Sequence, residues 1–303
     1  MTHCTLCPRR CGADRESVRG MCGVTRRIYV ARTMLHMWEE PPVSGTRGSG
    51  AVFFCGCPLG CSFCQNHEIS RPTGDAASVR EYTEHELSEL FLRLEAHGAH
   101  NVNLVSPTQY TDAVIRAVAE ARSNGLTLPV VWNTGGYERQ DTIRTLNGTA
   151  DVFLTDMKYV SSDISGALSG APDYFAEAMP SLLEMVKISG DPVYDRDGML
   201  TRGVIVRHLV LPGCRRDSIS VLHALADSGL QDRVLLSLMR QYTPEFFSGC
   251  DDPILDRALR RRVTSFEYDS VCTEAVMLGF VGFTQEKGSS DTEYTPQWGV
   301  WDV

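Results

Sequence analysis

The sequence predicts an α/β fold in which six parallel strands alternate with helices. Short apolar runs of strand length recur along the chain, and segments with helical spacing of apolar residues lie between most of them. Such alternation implies parallel strands joined by right-handed crossovers. An open doubly wound sheet and a barrel both fit this pattern. In either architecture, the loops that follow the carboxyl ends of the strands carry the chemistry.

The predicted strands are apolar runs rich in β-branched and aromatic residues. The first is GAVFFCG at 50–56, and the others lie at 101–107, 128–136, 150–156, 203–213 and 233–239. The predicted helices lie at 84–98, 110–125, 139–148, 173–190 and 217–229. The helix at 84–98 has apolar residues at 87, 90, 91 and 94, and Gly98 marks its end. Pro180 predicts a kink or a break in the helix at 173–190.

The distribution of cysteines and of strand and helix patterns divides the chain into three parts. Residues 1–32 are rich in Cys, Arg and Gly and lack periodicity, so we predict a metal-binding N-terminal knuckle. Residues 45–240 hold the alternating strands and helices and form the predicted core. Residues 241–303 are predicted to be a C-terminal extension that packs on this core.

Composition excludes several classes of function. The net charge of −9 argues against a nucleic-acid partner. No apolar run is long enough to span a bilayer, and the first residues lack the apolar region of a secretory signal. We therefore predict a cytoplasmic protein without a membrane partner. Cytoplasmic thiols stay reduced, so the 11 cysteines call for an explanation other than disulfides.

The stretch CGCPLGCSFCQN at 55–66 holds the first cysteine cluster, directly after the first predicted strand. Cys57, Cys61 and Cys64 form the pattern C-x3-C-x2-C. Three thiolates on a [4Fe–4S] cluster leave one iron with an open coordination site, which can bind a substrate or cofactor. The spacing therefore favours a reactive cluster over a plain electron carrier, with a zinc knuckle as the alternative. Cys55 is expected to be a packed core residue.

A second cluster lies at the N-terminus, where Cys4, Cys7, Cys11 and Cys22 can complete a four-thiolate site. Such a closed site suits structural zinc or a fully ligated iron–sulfur cluster. It would staple a segment too short for its own core, or relay electrons to the first cluster. His3 is an alternative ligand. The remaining cysteines, Cys214, Cys250 and Cys272, stand alone and are expected to be small buried hydrophobes.

C-x3-C-x2-C after the first strand of a βα series resembles the signature of the radical S-adenosylmethionine (SAM) superfamily. The resemblance implies a partial (β/α)6 barrel, a [4Fe–4S] cluster on the three cysteines, and SAM bound to the fourth iron. It implies that reduction cleaves SAM to methionine and a 5′-deoxyadenosyl radical, which abstracts hydrogen. The stretches CTLCPRRCG, LHMWEEPPVSGTRGSGAVFFCGC, VRHLVLPG and SLMRQY are similar to those of proteins related to pyruvate formate-lyase activating enzymes, nearly end to end.

The same resemblance implies roles for residues near the SAM site. Phe63 lies where the superfamily places an aromatic ring beside the SAM adenine. The family's G-G-E-P, which receives the SAM amino group, is here SPTQY, so Ser106, Thr108 and Gln109 are the available oxygen acceptors. Asn133 would help to bind a monovalent cation near the SAM carboxylate.

Further implied roles fall on the later strand ends. Thr134 and Asp156 would join Asn133 at the cation, and Lys158 would approach SAM or the substrate. Lys158 is one of three lysines against 26 arginines, and a rare lysine past a carboxylate at a strand end is a plausible anion-binding group. A surface salt bridge is the alternative. Arg207 aligns with an arginine that meets SAM, and since Arg207 and His208 alternate in direction, only one points into the barrel.

Three functions remain open from the sequence. The first is a glycyl-radical activating enzyme, which would abstract hydrogen from a glycine of a partner glycyl-radical enzyme. The second is a radical SAM enzyme that acts on a small molecule or a peptide. The third, from another class, is a non-catalytic iron–sulfur or zinc protein. Both radical SAM alternatives imply an electron donor such as flavodoxin or ferredoxin.

Overall fold

The computed structural model describes residues 3–71 and 79–286, together with Trp298 and Val303. Its strands, in chain order, are β1 Ile28–His36, β2 Ser49–Phe54, β3 Arg80–Tyr82, β4 Val102–Val105, β5 Val130–Thr134, β6 Val152–Asp156, β7 Val193–Tyr194, β8 Leu200–Leu209, β9 Leu235–Met239 and β10 Gly282–Thr284. Its helices are α1 Pro41–Ser44, α2 His67–Ser70, α3 Glu84–Ala96, α4 Thr111–Ser123, α5 Gln140–Thr145, α6 Ser162–Ser169, α7 Tyr174–Ser189, α8 Arg215–Asp227, α9 Pro253–Leu259 and α10 Ser265–Met277.

The predicted α/β fold with parallel strands is confirmed. The six predicted strands correspond to β2, β4, β5, β6, β8 and β9, and each pairs in parallel with the next along the chain. Their order in the sheet never reverses. Since right-handed crossovers then place the connecting helices on one face, the sheet curls as a partial barrel and is not doubly wound.

Three further strands extend this sheet at its edges. β1 pairs antiparallel with β2 and carries β3 on its other side, while β10 adds in parallel beside β9. Residues 28–32, assigned to the knuckle from the sequence, therefore belong to β1. The C-terminal extension contributes α9, α10 and β10, and its residues 287–297 and 299–302 lie outside the described part of the chain.

In helix α3, a capping box marks the first residue and the spacing of apolar residues marks the buried face. The helix begins at Glu84, after Thr83, whose side chain accepts from the amide of Glu86 while the Glu86 side chain accepts from the amide of Thr83. This capping box satisfies amides that the first turn leaves unpaired. The apolar residues at 87, 90, 91 and 94 are buried, as their helical spacing predicts.

Of the kink or break predicted at Pro180, the break does not occur. Helix α7 runs from Tyr174 to Ser189 with Pro180 inside it. A proline removes one backbone hydrogen bond from a helix. The buried residues on both sides of it, among them Ala178, Leu182 and Met185, keep the two halves packed against the sheet and outweigh this loss.

Alternation along the strands separates an inner and an outer face of the sheet. On the inner side, Val131, Val152, Leu154, Ile205 and Leu235 form a small apolar cluster with Val43 of α1. The alternate strand residues belong to the large core that includes the buried residues of the helices, such as Trp132, Phe153, Val204 and Leu236. The inner cluster fills the amino-terminal half of the barrel, and the site described below lies at the carboxyl ends of the strands. No helix within the described residues is long and apolar enough to cross a membrane.

Candidate functional site

A cavity of about 480 Å³ lies at the carboxyl ends of the parallel strands. Most of the side chains assigned to the site from the sequence line this cavity together: Cys57, Cys61, Phe63, Cys64, Ser106, Asn133, Thr134, Asp156, Lys158 and Arg207. They come from the loop after β2 and from the ends of β4, β5, β6 and β8. Segments far apart in sequence thus meet at the edge of the sheet where α/β enzymes place their chemistry.

The cysteine loop after β2 is held tightly against the N-terminal segment. The amide of Cys57 donates to the carbonyl of Cys22, with 3.1 Å between N and O. Gly56 has a φ of 87°, and a Cβ there would lie 2.8 Å from the Cys22 oxygen, so glycine is required for this approach. Cys55 is 1% exposed and belongs to the core, where the sequence places it.

The three cysteines of the loop lie close enough to influence one another. Burial and the neighbouring thiols raise the pKa of Cys57, and the same causes raise the pKa of Cys64 to about 11. Lys158 opposes both shifts, which places its ammonium group near the thiols. The hydroxyl of Ser169 donates to Cys61 Sγ over 3.0 Å. Half-buried thiols with raised pKa values become thiolates when a cation compensates their charge, as metal coordination does.

A hydrogen-bonded cluster of charged side chains, called the charged cluster below, lines the cavity together with the cysteines. Lys158 Nζ donates to Asp156 Oδ2, and Arg207 Nε donates to Asp156 Oδ1 over 3.2 Å. Burial alone would raise the pKa of Asp156, but Lys158 and Arg207 together lower it, so the carboxylate stays ionised. Burial likewise opposes the charge of Lys158, and Asp156 more than offsets it, raising the lysine pKa.

Glu39 also belongs to this charged cluster, and the sequence analysis did not identify it. Its Oε2 accepts from Arg207 Nη1 over 3.2 Å, and its Oε1 accepts from Asn103 and Asn133 over 3.1 and 3.3 Å. The connection from β1 to α1 carries Glu39 into the barrel, and its amide donates to Ser44 Oγ over 2.9 Å. The signal available was a pair of glutamates in the otherwise apolar stretch MWEEPPV, but it precedes the first predicted strand.

Arg207 and His208 point in opposite directions. Arg207 lines the cavity and its Nη2 donates to Asn133 Oδ1 over 2.5 Å. His208 is buried on the other face, where its Nδ1 lies 2.7 Å from the carbonyl oxygen of Met157. Burial lowers the pKa of His208 to about 4, so this imidazole is neutral and structural.

The oxygens assigned to a monovalent cation are all engaged in hydrogen bonds within the protein in this structure. Asn133 Oδ1 accepts from Arg207, and Asp156 accepts from Lys158 and Arg207. The Thr134 hydroxyl donates to Glu138 Oε1 over 2.5 Å. A cation at these residues stays a prediction that requires some of these contacts to change.

Thr108 does not reach the cavity. Its hydroxyl donates to Glu138 Oε1 over 2.5 Å, and Thr108 is not among the residues that line the cavity. Glu138 is fully buried behind Thr134, and burial raises its pKa to about 7, although the two threonine hydroxyls partly offset this shift. Thr108 and Thr134 thus share one buried acid, which the sequence analysis did not identify.

The segment SPTQY divides its residues between two roles. Ser106 lines the cavity with a φ of 56°, a left-handed conformation rare outside glycine. Gln109 lies outside the cavity, and its Nε2 donates to the carbonyls of Cys55 and Gly56 over 2.8 and 3.0 Å. Gln109 therefore braces the start of the cysteine loop.

Aromatic side chains also line the cavity. Phe63 packs against Tyr242 with ring centroids 6.1 Å apart, and Phe246 lies beside them on the loop after β9. Phe53 also lines the cavity and meets the ring of Trp298 edge-on at 5.5 Å. The loop after β9 is docked on the cysteine loop because the amide and hydroxyl of Ser248 both donate to the carbonyl of Ser62.

The N-terminal cysteines share one neighbourhood. A Cβ built on Gly20 would lie 3.4 Å from the sulfurs of both Cys11 and Cys22, and the pKa of Cys22 is raised by burial and by Cys4 and Cys11. Burial raises the pKa of Cys7 to about 12, opposed by the amide of Arg9. In the described residues, no group of three or more His, Cys, Asp or Glu side chains is arranged as a metal-ion site. The ligand roles of both cysteine sets therefore stay predictions.

No protein-family model matches the chain. Two proteins of Methanocaldococcus jannaschii are similar to it in sequence. The uncharacterized protein MJ0674 is 28% identical over 249 residues, which cover 80% of this chain and 67% of that protein. The uncharacterized protein MJ0808 is 25% identical over 196 residues, and the match spans 60% of this chain and about half, 54%, of that protein. Neither name assigns an activity.

Solved structures show weaker likeness. SuiB of Streptococcus suis aligns at a TM-score of 0.46 and 12% identity over 78% of this chain and 48% of that chain. HydG, a maturase of the [FeFe]-hydrogenase, aligns at 0.43 and 11% over 75% and 54%. A spore photoproduct lyase variant aligns at 0.46 and 12% over 77% and 74%. At such scores the likeness assigns no function to this chain.

Proposed function

We propose that the chain is a radical SAM enzyme, with a [4Fe–4S] cluster held by Cys57, Cys61 and Cys64 and SAM bound in the adjoining cavity. One observation carries the proposal. The C-x3-C-x2-C loop follows the first of six parallel strands in unreversed order, and its three cysteines border the same cavity as Lys158 and Arg207.

The three cysteines of the loop supply the donor atoms that a three-thiolate cluster needs. Cys57 and Cys64 are half-buried beside Cys61, and burial and the adjacent thiols raise the pKa values of Cys57 and Cys64, so these two thiols ionise readily only with a compensating cation. Thiolates are the ligands that iron–sulfur clusters use. Three ligands in one loop leave one iron for a ligand from the cavity.

The charged cluster in the cavity suits a zwitterionic cofactor such as SAM. Lys158 lies near the thiols and offers its ammonium group to the carboxylate that SAM brings to the iron. Arg207 is fixed by Asp156, Glu39 and Asn133, so its remaining N–H groups are held in one orientation. When bound, cluster and SAM together supply a 5′-deoxyadenosyl radical, which abstracts hydrogen from a substrate. Phe63 and Tyr242 give this cavity an apolar side on which the adenine ring of SAM would pack.

A finer proposal is that the hydrogen comes from a glycine of a partner glycyl-radical enzyme, with a flavodoxin or a ferredoxin as electron donor. It is supported by the sequence resemblance to activating enzymes. The alternative within the same chemistry is a small molecule or a peptide as substrate. A monovalent cation near Asp156 and a second metal centre at Cys4, Cys7, Cys11 and Cys22 belong to the same proposal.

The test is anaerobic reconstitution of the full chain with iron and sulfide, followed by electron paramagnetic resonance of the dithionite-reduced protein. We expect a [4Fe–4S] signal that changes on addition of SAM, since SAM would bind at the open iron. A reconstituted protein that holds only zinc, or whose signal ignores SAM, would contradict the proposal and favour the non-catalytic alternative.

A further inference from the structure

A hydrogen-bonded pair of hydroxyl groups, from two residues that do not line the cavity, reaches Cys61. The hydroxyl of Ser169 donates to Cys61 Sγ over 3.0 Å. The hydroxyl oxygen of Tyr159 lies 2.9 Å from the same serine oxygen. Both residues are 1% exposed, so water does not compete for these contacts. Ser169 is the last residue of α6.

The direction of both hydrogen bonds follows from the number of protons. A serine hydroxyl has one proton, and a thiolate bound to iron has none, so Cys61 acts only as an acceptor. The Ser169 proton therefore goes to Cys61, and the Tyr159 proton goes to Ser169. The result is a donor chain from Tyr159 through Ser169 to Cys61, in which the first bond polarises the second.

The end of α6 is fixed against the cysteine loop by its backbone as well. The amide of Ser62 donates to the carbonyl of Leu168 over 2.8 Å. Arg9 Nη2 donates to the carbonyl of Ser169 over 2.9 Å. Because these two hydrogen bonds tie the end of α6 to the cysteine loop and to Arg9, they keep the Ser169 hydroxyl beside Cys61.

We propose that the Tyr159–Ser169 pair tunes the reduction potential of the cluster, an inference that rests on the proposed function. Hydrogen bonds to the sulfurs are among the features that set iron–sulfur potentials. Reduction adds negative charge to the cluster, and a donor to a ligand sulfur stabilises the more negative state. The pair therefore raises the potential and makes the cluster easier to reduce. Ser169 and Tyr159 are positioning residues in this account and touch no substrate.

The experiment is a mediated redox titration of the reconstituted full chain, in which the SAM-responsive resonance signal is followed. That signal separates this cluster from any centre at the N-terminal cysteines. Ser169→Ala is expected to shift the potential downward. Tyr159→Phe keeps the serine donor and is expected to shift it in the same direction by less.

Ser165→Ala is the matched control, because Ser165 is a 1% exposed serine of the same helix whose hydroxyl bonds to the carbonyl of Ser162. Its potential should equal that of the wild type. Equal potentials in Ser169→Ala and Ser165→Ala, at equal iron content, would overturn the inference and leave the proposed function intact. If Ser169→Ala fails to assemble, an unchanged potential in Tyr159→Phe overturns the inference. A wild type without any cluster would overturn the proposed function and the inference with it.

Discussion

The amide of Cys57 is hydrogen-bonded to the carbonyl of Cys22, 3.1 Å away. This bond joins the N-terminal cysteine segment to the first cysteine of the loop after β2. Arg9 adds a second link, because its Nε donates to the carbonyl of Pro58 over 2.8 Å and its other nitrogens donate to the carbonyls of Ser169 and Gly170. The N-terminal segment therefore supports the cysteine loop from behind.

Arg9→Ala should weaken this support. The substitution removes three hydrogen bonds from one guanidinium group, and we expect a loss of about 2 kcal/mol in the free energy of unfolding and faster loss of iron to a chelator. Arg10→Ala is the control, since Arg10 is 58% exposed and makes one ion pair, 3.4 Å long, with Glu177. Urea denaturation and chelation kinetics give the comparison, and equal results for the two variants would refute the supporting role.

If Cys4, Cys7, Cys11 and Cys22 bind one metal centre, replacing one of these cysteines should remove that metal. Cys22→Ser should remove zinc or iron equivalent to one centre per chain, and the SAM-responsive cluster should remain. Cys272→Ser, at an isolated cysteine, is the control and should keep the full metal content. Elemental analysis of the purified proteins decides the matter. Unchanged metal in Cys22→Ser would show that the four thiols do not form one site.

Lys158→Ala should weaken SAM binding about tenfold or more and leave the iron content unchanged, since lysine is no cluster ligand. The pair of Lys158 and Asp156 is largely buried, with side chains 18% and 13% exposed, so it is not the surface salt bridge considered from the sequence. Lys187→Ala is the matched control, at a lysine 76% exposed on α7. Wild-type SAM affinity in Lys158→Ala, measured beside its iron content, would remove this residue from the site.

Glu138 predicts a pH-dependent stability. Burial raises its pKa from 4.5 to about 7 in the folded state, so between these values the folded chain binds a proton that the unfolded chain has released. The wild type should lose about 3 kcal/mol of unfolding free energy from this group as pH rises from 4.5 to 7. Glu138→Gln should lack this loss. Its free energy of unfolding, relative to that of the wild type, should therefore be higher at pH 8 than at pH 5. Denaturation curves at pH 5 and pH 8 that differ equally in both proteins would contradict the assignment.

The sequence predicts the parts of the fold whose signal is local. The apolar runs of β2, β4, β5, β6 and β9, and residues 204–206 of β8, are mostly buried on both faces, so hydrophobicity alone marks them. β1 was missed because Arg32 and Thr33 interrupt its apolar pattern, and both are buried by neighbours that the sequence does not reveal. β10 has three residues, fewer than periodicity can register.

The residues of the site likewise divide into those with a local signal in the sequence and those without one. Cys57, Asp156, Lys158 and Arg207 stand in loops or at strand ends, where position in a βα series implies a shared edge. Glu39 reaches this edge from a connection that precedes the first predicted strand, and only the pairing of β1 with β2 places it there. The role of Thr108 depends on Glu138, a partner 30 residues away, and no pattern in the sequence links the two.

The formation of 5′-deoxyadenosine tests the central claim most directly. The reconstituted protein is incubated anaerobically with SAM and dithionite, and the product is quantified by chromatography. The wild type and Cys55→Ala should both release it, because Cys55 is a core residue outside the ligand set. The triple variant Cys57→Ala, Cys61→Ala, Cys64→Ala should release none while any N-terminal metal remains. Persistent cleavage in the triple variant, or none in the wild type at full iron content, would contradict the radical SAM assignment.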